Sequence, residues 1–305
     1  REYATTHAAH ILGNLGLIEA SQWPEYKDKG YSMDAYVGQS GFEAAFEEYL
    51  HGTDGVKLTT VDTEDNVVSE YFQTEPKAGA NVETTIDLNM QIAAETALEQ
   101  VILELREEGL GQKHEGQDAE GGAVVAIDVK TGQVLACASY PTYNPATYSQ
   151  DFNQLLQTEW DPLYNRALQA TYAPGSVFKM AVTIAAINDG EISSSTTIED
   201  KGVYTKYEDE GYTPQCLIYT NYKQTHGVIN VEEALAVSCN YFFYEAGIRT
   251  GMPDIDAVAK DLGLGEKTGV ELFEEQGHRA NAESKAALYA DDPSRSGWYD
   301  ADTLM

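Results

Sequence analysis

The sequence is short of positive charge. Its 305 residues hold 19 Lys and Arg against 50 Asp and Glu, a formal charge of −31. That scarcity excludes binding along a nucleic-acid backbone, which depends on Lys and Arg displacing counterions. Anionic membrane surfaces would repel the chain for the same reason. Cysteine is scarce too. Cys137, Cys216 and Cys239 are too few for a disulfide scaffold and cannot all pair with one another. No uninterrupted apolar stretch approaches the roughly 20 residues needed to span a bilayer. There is no internal repeat and no visible signal peptide, and the chain opens on Arg1, not Met, which reads as a cut chain. What remains is globular in composition, with 42% hydrophobic and 23% charged residues. The length fits about two domains.

Several elements can be read from spacing. Residues 1–78 mix short polar stretches with Gly-rich turns. Phe42 to Leu50 has one apolar face and predicts a helix after Gly38-Gln39-Ser40-Gly41. Val56 to Val61 and Asn66 to Phe72 predict two strands around an acidic turn. Pro76 to Gly79 reads as a linker. Asp87 starts a predicted helix to Glu108 with Gly109 as its stop. Ala123 to Val129 and Gln133 to Ala138 predict a hairpin across Lys130-Thr131-Gly132. Val177 to Ile187 is apolar almost all round, the pattern of a core helix. Asn230 with Glu233 resembles a capping box. His7 and His10 fall in an N-terminal helical stretch and are expected at the surface.

Ser176-Val177-Phe178-Lys179 carries the chemistry. At i and i+3 on a helix the Ser and Lys side chains share a face. The helix start offers free N–H groups and the positive end of the dipole to an oxyanion. A lysine sunk in an apolar helix loses stabilisation of its charge, so its pKa should fall toward that of a base. Ser238-Cys239-Asn240 lies in a predicted turn between two helices, where a hydroxyl and an amide can project into a cleft.

Together these motifs resemble the penicilloyl-serine transferases, whose signatures are Ser-x-x-Lys, Ser-x-Asn and Lys-Thr-Gly. The stretches Arg166-Ala167-Leu168 and Tyr172 to Lys179 resemble the approach to the serine in class B penicillin-binding proteins. The hairpin from Ala123 to Ala136 is similar to the first hairpin of their transpeptidase domain. Gly38 to Glu43 and Leu50 to Gly55 resemble their N-terminal pedestal. His226-Gly227 and Asn240 to Tyr244 lean toward the elongation type, with the sporulation type next. The resemblance implies an α+β protein with a penicillin-binding protein/serine β-lactamase-like fold, an antiparallel sheet flanked by helices. It places a pedestal fragment at 1–78 and a transpeptidase domain at 79–305.

The third motif is out of place. Lys130-Thr131-Gly132 is a hairpin tip, and Lys267-Thr268-Gly269 follows Asn240 too closely. The stretch Trp298 to Met305 resembles the region just before the family's later active-site strands. The expectation is a transpeptidase domain truncated at its C-terminus, lacking the functional Lys-Thr-Gly strand and therefore impaired.

In the intact protein the resemblance implies that Ser176 attacks the carbonyl between two terminal D-alanines of a peptidoglycan stem peptide. Lys179 takes its proton, Ser238 passes a proton to the leaving amine, and Asn240 binds the substrate amide and positions Lys179. A second stem peptide's amine then completes the cross-link, and β-lactams trap the acyl-enzyme. The implied partners are stem peptides, β-lactams and, through the pedestal, a membrane glycosyltransferase, with no nucleic acid. The implied location is the extracytoplasmic face of the bacterial membrane, anchored by an N-terminal helix missing from this chain. Other readings are a serine β-lactamase, a penicillin-sensing receptor and a non-catalytic cell-wall scaffold. No cofactor is required for catalysis. Cys216, His226 and Cys239, with Asp200 as a fourth donor, form a candidate structural zinc site, since thiolates, imidazole and carboxylate suit tetrahedral zinc. A Cys216–Cys239 disulfide and two unpaired thiols stay open beside it. Cys137 fits a small core residue.

Overall fold

The structure is a computed structural model that describes residue 3 and residues 5–111 and 114–303. Leu304 and Met305, part of the C-terminal stretch compared with the family above, lie outside the described residues. The chain forms two compact units, Arg1–Ala170 with Val270–Glu275, and Thr171–Gly269 with Gln276–Met305.

The first unit begins with α1 (Ala9–Leu12), β1 (Leu15–Leu17), α2 (Trp23–Asp28) and β2 (Tyr36–Gly38), β1 and β2 pairing antiparallel. The helix expected over 42–50 is two short ones, α3 (Gly41–Ala45) and α4 (Glu47–Leu50), broken at Phe46 with φ −114°. Around the break two carboxylates turn inward. Glu43 is bonded to the Tyr3 hydroxyl, and Glu47 accepts the Gly38 N–H at 2.9 Å. The apolar spacing did not encode this bend, because the polar residues between do the turning. Gly38 itself has no room for a Cβ, which would strike the Glu43 carbonyl. His10 is buried, not at the surface, with its Nε2 bonded to the Pro162 carbonyl at 2.8 Å. A partner that distant in sequence leaves no local signal.

The hairpin of β3 (Val56–Val61) and β4 (Val67–Thr74) forms where expected, with every residue exposed. The helix α5 (Leu88–Glu108) also matches. Asp87 caps it by accepting from the Asn89 and Met90 N–H groups, and Gly109 at φ +69° ends it. Its Leu98 and Ile102 pack on Ala138 of the hairpin β5 (Gly122–Ile127) and β6 (Val134–Tyr140). Buried Gln91 accepts from Cys137 N–H at 2.7 Å and donates to its carbonyl at 3.0 Å, acting like a neighbouring strand. Lys130-Thr131-Gly132 is the turn, held by Asp128. The unit also holds α6 (Tyr148–Leu155) and α7 (Arg166–Gln169).

The second unit is built on α8 (Lys179–Asn188), entered through a 3-10 turn at Gly175–Phe178. After β7 (Thr197–Asp200) and α9 (Leu217–Tyr222) come β8 (Gly227–Asn230), α10 (Val231–Ala236), α11 (Asn240–Thr250), α12 (Met252–Asp261) and α13 (Ala282–Leu288). Helices α10, α11 and α12 pack on α8, and the core joins Val182, Ala185 and Ala186 to Phe242, Phe243, Ala246 and Ile255. Helix α8 is not buried on every side as its composition suggests. Met180, Ile184 and Ile187 form an exposed stripe with Val177, because the packed helices cover only the opposite face among the described residues. The strands are all antiparallel, but they form four two-stranded ladders among the described residues, not one sheet.

Asn230 ends β8 and opens α10, with the complete reciprocal capping box expected from Asn230 and Glu233. Asn230→Ala should lower the stability of this unit by about 1 kcal/mol. A urea midpoint that falls with an unchanged slope would show it; an unchanged midpoint would count against the cap.

Candidate active site and candidate metal centre

The 3-10 turn at Gly175–Phe178 places Ser176 and Lys179 three residues apart, the spacing at which 3-10 side chains eclipse. Ser176 is exposed, while Lys179 begins α8 and is only 6% exposed. Ser238 lies between α10 and α11 with a positive φ of +50°. A non-glycine residue tolerates that conformation only where its surroundings hold it. Here they do. The Lys179 Nζ donates to the Ser238 carbonyl at 2.8 Å, to Ser238 Oγ at 2.9 Å and to Asn240 Oδ1 at 2.6 Å. Ser238 Oγ donates to Ser176 Oγ at 2.9 Å. All four residues singled out in the sequence therefore meet in one hydrogen-bonded chain.

Burial lowers the Lys179 pKa, partly opposed by the nearby Cys239 and Cys216 sulfurs. The ring of Phe243, fully buried, lies 5.5 Å from the Nζ. Sequence reading missed this residue, although its place one turn after Asn240 on α11 was a usable signal. It also missed the Ser238 carbonyl, which acts on Lys179 only because of the left-handed backbone.

The four candidate metal donors also converge. One ligand atom each from Asp200, Cys216, His226 and Cys239 lie within 4.8 Å of one another. Pairing of β7 with β8 sets Asp200 opposite Gly227, so the His226 N–H and ring Nδ1 reach Asp200 Oδ2 at 3.0 and 2.8 Å. The sulfurs of Cys216 and Cys239 are 3.8 Å apart, both buried and not joined by a disulfide. Cys216 Sγ is 3.6 Å from His226 Nδ1, and Cys239 Sγ is 3.6 Å from Asp200 Oδ2. Two zinc-bound sulfurs at about 2.3 Å from the metal would sit about 3.8 Å apart in a tetrahedron. The donor set and the sulfur spacing therefore fit such an ion, which would displace the two thiol protons and take the place of the hydrogen bond between His226 and Asp200. Burial alone would raise the Asp200 pKa, but N–H groups of His226 and Gly202 and the His226 ring hold it below its usual value. Burial, with Cys216 and Asp200 close by, pushes the Cys239 thiol up to about 12. Cys239 also caps α11, accepting the Phe242 N–H at 3.4 Å.

Neither Lys-Thr-Gly triplet lies on a strand among the described residues; one is a turn and the other a loop. The same residues include no helix long and apolar enough to cross a membrane.

Comparison with known proteins decides the family. The penicillin binding protein transpeptidase domain matches residues 122–290, more than half of the chain, and the penicillin-binding protein dimerisation domain matches residues 1–84. The chain belongs to the penicillin-binding protein transpeptidase family. Among its relatives is a peptidoglycan D,D-transpeptidase MrdA of Acinetobacter baumannii, 28% identical over 97% of this chain and 41% of the relative. The MrdA of Escherichia coli is 29% identical over 97% of this chain and 44% of its own length. The chain thus spans about two fifths of the curated relatives it matches. A solved structure of a peptidoglycan synthase complex superposes with a TM-score of 0.78 at 31% identity, covering 99% of this chain and 50% of that one. Pseudomonas aeruginosa PBP2 in complex with WCK 5153 superposes with a TM-score of 0.72 at 26% identity, covering 98% and 57%.

The geometry around Lys179 yields a measurable expectation. In 15N NMR of the lysine side chains, Lys179 should titrate below the ordinary 10.5. Its neutral amine would then be populated at lower pH than that of a lysine at the ordinary value. Titration of Lys179 at or above the ordinary value would overturn the desolvation argument.

Proposed function

We propose that this chain is part of a peptidoglycan D,D-transpeptidase of the elongation type, acting through a serine acyl-enzyme. The observation that carries the reading is the chain Ser176–Ser238–Lys179–Asn240. A neutral lysine amine has two N–H groups and one lone pair. Of its three contacts, the Ser238 carbonyl and the Asn240 amide oxygen can only accept. The Ser238 hydroxyl alone can reverse direction and donate to the lone pair. Lys179 therefore draws the Ser176 proton through Ser238 as Ser176 Oγ attacks the D-alanyl carbonyl. Ser238 then passes the proton to the leaving amine, and the amine of a second stem peptide takes the acyl group. Asn240 binds the substrate amide and orients Lys179. β-Lactams acylate Ser176 and stay there.

The pedestal is assigned to 1–78 and the transpeptidase domain to 79–305, supported by family matches at 1–84 and 122–290. Stem peptides are the substrates, and a membrane glycosyltransferase is the partner of the pedestal. The site of action is the extracytoplasmic face of the bacterial membrane. Asp200, Cys216, His226 and Cys239 are the residues that would hold a structural zinc ion, which would tie β7, α9 and the Ser238-Cys239-Asn240 loop together. Catalysis itself needs no cofactor.

Labelling the full-length protein with a fluorescent penicillin tests the reading. Label on the protein and none on Ser176→Ala is expected; label without cross-linking of stem peptides would favour a sensor, and no label a scaffold. A polypeptide of residues 1–305 alone, with no Lys-Thr-Gly strand among its described residues, should label slower by about 10² to 10³. Stoichiometric labelling at the full-length rate would sink that expectation. Protein purified without added metal should carry one zinc per chain, reduced in Cys239→Ser; metal-free wild type would remove the zinc assignment.

A further inference from the structure

Two cysteines in one buried cluster have a chemistry that neither acyl transfer nor a metal tie uses. We propose that Cys216 and Cys239 form a thiol–disulfide modification site that disconnects Lys179 from its partners when oxidised. The inference rests on reading Ser176, Lys179, Ser238 and Asn240 as the acylation centre. The partner chemistry is a small or protein disulfide, RSSR.

The geometry is specific to this pair. The sulfurs face each other at 3.8 Å, and Cys137, the third cysteine, belongs to the other unit. A disulfide bond is about 2 Å long, so each sulfur needs to move by about 1 Å. Cys216 stands at the N-terminal end of α9, a surface helix of 6 residues with no side-chain cap, whose Leu217 and Tyr222 are 61% and 72% exposed. Short, poorly covered elements open locally at low cost. Opening α9 presents Cys216 to RSSR while Cys239 stays under α11.

The step balances. The Cys216 thiolate attacks RSSR, forming Cys216–S–SR and releasing RS⁻. Cys239 gives up its proton to a released RS⁻ as it attacks the Cys216 sulfur and releases the second RS⁻. The two cysteine protons leave with these groups as two RSH, so the dithiol is oxidised and RSSR reduced. Metal bound to both thiolates blocks the exchange, because the thiolate is the nucleophile.

The consequence follows from where Cys239 sits. Its sulfur caps α11 through the Phe242 N–H, and its backbone joins Ser238 to Asn240. Drawing that sulfur toward Cys216 pulls on a loop that holds a left-handed serine and supplies all three Lys179 acceptors. A misplacement of about 1 Å typically lowers rate by about 10²-fold.

The test uses the full-length protein, treated with a chelator and oxidised glutathione, then with dithiothreitol. Thiols are counted after denaturation, and a non-reducing digest is read by mass. The expected result is a cross-linked Cys216–Cys239 peptide, penicillin labelling slowed by about 10²-fold, and recovery on reduction. In Cys216→Ser the labelling rate, whatever its level, should be the same with and without oxidant. Thiols that stay free, or a disulfide that leaves labelling unchanged, would overturn the proposal. A reduced wild-type protein that takes no label speaks against the acyl-enzyme reading instead, and metal content measured before chelation judges the zinc assignment on its own.

Discussion

The second unit is organised around the cost of burying Lys179. A lysine 6% exposed must either give up its charge or find acceptors for its N–H groups. This one does the second while its pKa falls. The three acceptors come from two residues on one short loop, and that loop is long-range in sequence. The lysine therefore fixes the loop as much as the loop fixes the lysine. The positive φ of Ser238 belongs to the same constraint. It turns both the carbonyl and the hydroxyl of one residue toward one nitrogen.

The tetrad of Asp200, Cys216, His226 and Cys239, buried except for a partly exposed His226, adjoins the loop through Cys239. It gathers residues from the end of β7, the start of α9, the residue before β8 and the start of α11. Cys239 is shared, being a tetrad member and the centre of Ser238-Cys239-Asn240. Only the Cys239 backbone separates the tetrad from the two residues that accept from Lys179.

Local structure was readable where local physics governs it. Asp87 and Gly109 bracket α5 because a cap and a left-handed glycine act within one turn. Asn230 and Glu233 form their box for the same reason. The helix over 42–50 failed because Glu43 and Glu47 turn inward to partners outside the helix. His10 was misplaced because its partner, Pro162, lies 152 residues away. The apolar composition of α8 said that it packs, but not that one stripe stays open.

By itself the sequence determined the chemistry available. Ser176 with Lys179 at a helix start, Ser238 with Asn240 at a turn, and two cysteines with a histidine and an aspartate define what can react, because side-chain chemistry travels with the residue. The formal charge of −31 is likewise carried into any fold. Only the tertiary structure decided that these sets touch. Residues 176 and 238 meet at 2.9 Å, and 200 and 226 at 2.8 Å, because packing of α8 against α11 and pairing of β7 with β8 close distances no spacing rule contains. It also decided that one hydroxyl reaches both partners: with a left-handed backbone at Ser238, its Oγ lies 2.9 Å from Ser176 Oγ and 2.9 Å from Lys179 Nζ.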